Sequence, residues 1–144
     1  MKSVQQMLNS KGNDLWSVDP DRSVLEALEV LAEHDIGALL VMQESKLVGI
    51  FSERDYARKV ILKGKASRDT AVAEIMTADV VTVGPEDAIE ACMELMTDKR
   101  IRHLPVLEDN QVIGVISIGD VVKDIIAEQG FVIEQLENFI SGSG

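Results

Sequence analysis

Two seven-residue stretches hold the side chains best suited to chemistry, Gly49-Ile50-Phe51-Ser52-Glu53-Arg54-Asp55 and Gly114-Val115-Ile116-Ser117-Ile118-Gly119-Asp120. In each, an apolar run ends at a serine and an aspartate follows three residues later, as where a strand opens a helix. A helix start presents unpaired N–H groups and the positive end of the dipole, which suits a phosphate. The Ser52 or Ser117 hydroxyl can add a donor. A carboxylate one turn in, Asp55 or Asp120, can accept from both hydroxyls of a ribose. The same spacing also makes a capping box, in which serine and acid satisfy the first helical amides reciprocally. Glu or Gln is the usual partner in that box, so Asp in both stretches leans toward a ligand.

A second feature is Lys99-Arg100-Ile101-Arg102-His103, the densest positive cluster in a chain with 14 Lys and Arg against 25 Asp and Glu, net charge −11. Positive charge on such a background suits a small anion. Lys99 and Arg100 also read as a solvated helix end, where cations oppose the dipole; Arg102 and His103, entering a strand, fit that reading less well. The overall charge repels nucleic acid, and Trp16, Phe51, Tyr56, Phe131 and Phe139 are the only aromatics for base stacking. Cys92 stands alone, which excludes a disulfide framework and a multi-cysteine zinc site. It falls at an apolar helix position and reads as a small core residue rather than a nucleophile. His34 looks like a solvated helix-end residue, and His34 and His103 lack metal-ligand spacing. Neither catalysis nor a metal site is expected. No apolar run is long enough for a bilayer and no leader is evident at the N-terminus, so a cytoplasmic protein without membrane contact is expected.

These residues are positioned by a tandem repeat with an offset of 65 residues. Val18-Asp19-Pro20 answers Val83-Gly84-Pro85, Leu39 answers Leu104, Gly49 answers Gly114, and Asp55 answers Asp120. The leading segments match at an offset of 68, Val4-Gln5-Gln6-Met7-Leu8-Asn9 against Val72-Ala73-Glu74-Ile75-Met76-Thr77, so the first copy has three extra residues within 10–14. Each copy reads as strand, helix, strand, strand, helix. The strands are predicted at 15–18, 38–42 and 47–51, then 80–83, 103–107 and 112–116; residues 43–46 and 108–111 form the hairpin loops. The division is 1–68 for the first unit with its N-terminal helix, 69–128 for the second, and 129–144 for a helical extension with a frayed end. One unit alone would be marginal, so the α/β units are expected to pack face to face.

Doubled at constant spacing, Ile75-Met76-Thr77, Val80-Val81-Thr82-Val83, Arg102-His103-Leu104-Pro105-Val106 and the Ser-x-x-Asp motifs resemble a tandem cystathionine-β-synthase (CBS) domain pair, also called a Bateman module. The resemblance spans residues 1 to about 128. It implies two β-α-β-β-α units packed sheet to sheet as a pseudo-two-fold pair. It also implies two clefts for adenosyl ligands: AMP, ADP, ATP, NAD(H) or S-adenosylmethionine. By position, the second copy offers Thr77, Val81, His103, Pro105, Ser117 and Asp120, and the first offers Asn9, Trp16, Ala38, Ser52 and Asp55. Arg54, Arg58 and Arg102 are candidate phosphate partners. Gly37-Ala38 stands where the second copy has Arg102-His103, so unequal sites are expected, with the Asp120 site nearer the family pattern. The implied role is a regulatory sensor acting in trans on a separate protein, as a homodimer; the alternative is a ligand-independent assembly module. The apolar stripe Phe131, Val132, Ile133, Leu136, Phe139 and Ile140 is expected to serve assembly or to cover the protein's own core.

Overall fold

The computed structural model describes residues 2–12 and 14–140. The expected frayed end, 141–144, and the side chain of Phe139 lie outside what is described. Helix α1 (Val4–Lys11) leads into β1 (Ser17–Val18), α2 (Val24–His34), the hairpin β2 (Ala38–Gln43) and β3 (Lys46–Ser52), and α3 (Glu53–Tyr56). Residues Ala57–Ile61 continue α3 as a π-helical turn. The second copy has α4 (Val72–Ile75), α5 (Ile89–Lys99), the hairpin β4 (His103–Glu108) and β5 (Gln111–Ser117), and α6 (Ile118–Ile140). The α/β class and the two small sheets are as expected, and α6 runs unbroken through Gly130.

Both hairpins turn in two residues, Glu44-Ser45 and Asp109-Asn110, all four with positive φ, the turn whose twist matches its flanking strands. Gln43 therefore pairs with Lys46, and Glu108 with Gln111, where longer loops were expected. The first strand differs between copies. In the first, β1 runs parallel to β2 and Leu40 N donates to Trp16 O. At the equivalent position Pro105 has no N–H to donate. The expected 80–83 strand is accordingly reduced to a bridge between Val83 and Val106, and the Val81 carbonyl is spared by Pro105.

Each leading helix packs into the other copy's core. Val4, Met7 and Leu8 join Ile89, Met96, Leu104 and Ile116, while Val72 and Ile75 join Val24, Leu39 and Phe51. Backbone bonds secure the exchange: Val4 N donates to Asp87 O at 2.9 Å, and Val72 N to Arg22 O at 2.8 Å. Gly49 and Gly114 admit it. A Cβ on Gly49 would stand 2.5 Å from Met76 Sδ, and one on Gly114 would stand 2.6 Å from Leu8 Cδ2. The symmetry fails past these contacts. Helix α4 ends at Ile75, so Thr77 is extended and exchanges both backbone bonds with Ile50 at 2.9 Å. The extra residues of the first copy let α1 wind on to Lys11.

Candidate functional site

Two clefts lie between the units, and each combines the Ser-x-x-Asp motif of one copy with strand residues of the other. The larger, about 660 Å³, takes Ser52, Arg54, Asp55 and Arg58 from the first copy and Thr77, Val81, Arg102 and His103 from the second. The smaller, about 480 Å³, takes Ser117 and Asp120 from the second copy and Trp16 and Ala38 from the first, and His103 lines it as well. Arg102, expected among the phosphate partners, falls in the first of these clefts and not in the second. Its carbonyl accepts from Ile118 N at 2.8 Å, at the start of α6, while the residue lines the Asp55 cleft. Two residues carried over by position line neither cleft: Pro105, buried within β4, and Asn9, whose helix continues where Thr77 is extended.

Both motifs form capping boxes. Asp55 N donates to Ser52 Oγ at 3.1 Å and Ser52 N to Asp55 Oδ2 at 3.0 Å; the distances are 3.2 and 2.9 Å for Ser117 and Asp120. The shorter acid thus caps adequately. Each carboxylate also meets a lysine absent from the sequence-based candidates. Lys59 Nζ lies 3.0 Å from Asp55 Oδ1 and donates to Ile75 O at 3.0 Å. Lys11 Nζ lies 2.6 Å from Asp120 Oδ2 and donates to Val115 O at 2.8 Å.

Charge separates the clefts. The Asp55 cleft is lined by five cations, Arg54, Arg58, Lys59, Arg100 and Arg102, against the carboxylates of Glu53, Asp55 and Asp79. Among the described residues, the Asp120 cleft sets Lys11 alone against Asp14, Asp35 and Asp120, with His34 and His103 beside them. The cation-rich cleft also presents Ile50, Val80, Val81 and Ile101, an apolar slot for a planar base. Unequal sites were expected with the Asp120 site favoured; the cations gather in the other cleft. Arg100, read as a helix end, does terminate α5 in a left-handed conformation, and its carbonyl accepts from Arg54 Nη1 at 3.0 Å, tying the two copies together across the cleft. In the smaller cleft His34 is not simply solvated: its ring stacks on Trp16, centroids 3.5 Å apart.

His103 stands between the clefts, its ring against the bare Cα of Gly37. Burial pulls its pKa below the ordinary 6.5; Asp120 opposes this, and Lys11 and Arg102 reinforce it. Burial raises the Asp120 carboxyl, but Lys11 and the Ser117 amide and hydroxyl together hold it below the ordinary 3.8. The signs follow by linkage. The unfolded chain takes up the His103 proton first, so stability falls as pH drops through 6.5 toward the folded value. The Asp120 contribution is full above 3.8 and is lost only as pH falls through its depressed value. His103→Gln is expected to flatten the dependence of Tm on pH between about 7 and 5; an unchanged slope would remove His103 from this account. Cys92 is fully buried, and burial with Asp87 and Glu90 pushes its thiol up to about 11, which suits core packing and not nucleophilic attack.

The CBS domain family model matches this chain twice, at residues 9–62 and 72–127. The CBS domain-containing protein CBSX3, mitochondrial, of Arabidopsis thaliana is 39% identical over 150 residues, covering 97% of this chain and 72% of its own length. Among solved structures, the CBS domain NE2398 is 50% identical with a TM-score of 0.84, over 87% of this chain and 98% of its own. The CBS domain pair of protein MJ0100, solved with 5-methylthioadenosine and S-adenosyl-L-methionine, is 25% identical with a TM-score of 0.80, over 89% of this chain and 98% of its own.

Proposed function

Because the chain belongs to the CBS-domain family, as two units in tandem, we propose that it is a regulatory module that binds an adenosyl ligand and acts in trans on a separate protein, without catalysis of its own. The observation that carries this reading is the Asp55 cleft, where five cations gather in a chain of net charge −11 beside an apolar slot and a carboxylate at a helix start. The slot takes the adenine, with the spared Val81 carbonyl as acceptor for its amino group. Arg54, Arg58 and Arg102 take the phosphates, and Asp55 exchanges Lys59 for the ribose hydroxyls. AMP, ADP, ATP and NAD(H) suit the cations best; S-adenosylmethionine lacks the phosphates they would hold. A ligand touching both copies stabilises one relative arrangement of the units, and a partner protein reads that arrangement. The module self-associates, and its lone buried cysteine suits a reducing compartment such as the cytoplasm.

At free ligand about 100 times its dissociation constant, linkage adds roughly 2.7 kcal/mol, a rise in Tm on the order of 5 °C or more for a chain of this size. A thermal-shift panel of AMP, ADP, ATP, NAD, NADH and S-adenosylmethionine tests this directly. If none moves the transition, and guanosine and uridine nucleotides do no better, the sensor reading is wrong. The alternative, a ligand-independent assembly module, has one observation in its favour: both aspartates already cap helices and pair with lysines.

A further inference from the structure

Helix α6 carries two apolar seams. Ile118, Val121 and Ile125 face the core of the second unit. A separate seam of Val122, Ile126, Gln129, Ile133, Leu136 and Ile140 begins one residue after Val121, on another face, and advances in alternating steps of four and three. Its apolar members are exposed, from 38% at Val122 to 81% at Ile140. The inward seam stops at Ile125, and from Gln129 onward every described side chain is exposed. A stretch of roughly twelve helical residues that includes a glycine is marginal in water without packing. This half of α6 therefore needs a covering surface.

The spacing specifies that surface. Steps of four and three are a heptad seam, with Ile126, Ile133 and Ile140 at one core position and Val122, Gln129 and Leu136 at the other. β-Branched residues at the first position favour two parallel strands when leucine stands at the second, as Leu136 does here. Gln129 is the seam's polar member. In a parallel, in-register pair it meets its own counterpart, and the two amides can hydrogen-bond; an antiparallel pair would set it against an apolar residue. With half-exposed Val132 alongside, the seam's exposed apolar surface is a large share of the roughly 800 Å² that each partner gives to a standard stable interface, while Phe131 falls on the far side of the helix.

We propose that the C-terminal half of α6 pairs with the same helix of a second copy of this chain, parallel and in register, as a short two-stranded coiled coil. The inference rests on the self-association assigned above and identifies its face. Cys92 is buried, so introduced cysteines report alone. Under mild oxidation of the full chain, Ile126→Cys and Leu136→Cys should each cross-link to homodimers, and Glu134→Cys, on the opposite face, should not. Ile133→Glu lies outside the folded core; it should keep the circular dichroism of the units while raising the dimer dissociation constant in sedimentation at least about a hundredfold, as loss of a central anchor does. A dimer that survives Ile133→Glu and does not cross-link at 126 or 136 overturns the coiled coil and leaves self-association standing. A wild-type chain that is monomeric at tens of micromolar overturns both.

Discussion

Leu8→Ala should cost the chain about 2–5 kcal/mol, the range for truncating a buried leucine, with the damage in the second unit. Leu8 is 4% exposed and packs in the core of Ile89, Leu104 and Ile116, although it stands about eighty residues or more before them. Its methyl groups lie over Gly114, where even a single added carbon would collide. Removing them opens a cavity beside β5. Urea denaturation should give the loss in free energy. Hydrogen exchange should show faster opening of the β4–β5 amides before those of β2–β3. If β2–β3 opens first, the exchange of leading helices does not carry the stability assigned to it.

Arg102→Ala should weaken adenine-nucleotide binding roughly ten- to hundredfold while leaving the fold intact. A hydrogen bond to a charged group contributes about 1.5–3 kcal/mol, and each 1.4 kcal/mol is about tenfold in affinity. Arg102 is exposed and its side chain lies outside both cores, so its loss removes charge without opening a cavity. Asp120→Ala provides the contrast. It removes a cap and a lysine partner, so it should cost about 1 kcal/mol of stability and change affinity in the Asp55 cleft little. Calorimetric titration beside thermal melts separates the two effects. The reverse order, with Asp120→Ala the more damaging to affinity, would return the principal site to the smaller cleft.

The repeat, the hairpins and both Ser-x-x-Asp turns were legible because each is a local signal: periodicity, turn residues and a three-residue spacing. The capping of α3 by Ser52 and Asp55 was also within reach, and Lys59 could have been found from its position four residues after Asp55. Lys11 could not. It lies 109 residues from Asp120, and only the exchange of the leading helices brings it there. Arg102 lines the cleft of the other copy's aspartate, Asp55, which its place in the repeat does not reveal. Matching by position identifies equivalent residues but not which copy they face. Trp16 and His34 were each read alone, and their stacking depends on how β1 and the end of α2 converge. Pro105, named by resemblance as a ligand contact, lines neither cleft and lacks the N–H that Leu40 donates in the first copy.

Synthesis runs from the N-terminus, and the exchange of leading helices gives that direction a cost. Val4, Met7 and Leu8 emerge well before their partners on α5, β4 and β5, which follow some eighty to more than a hundred residues later. At about 5–20 residues per second, the apolar face of α1 waits on the order of ten seconds with nothing native to cover it. Val72 and Ile75 face no such delay, because the core they complete has already been made when they appear. The first unit can close during translation and the second only after β5 is out. For that interval the nascent chain offers a short amphipathic segment to whatever surrounds the ribosome, and Val4, Met7 and Leu8 are open to chaperone capture or to misassembly with a neighbouring chain.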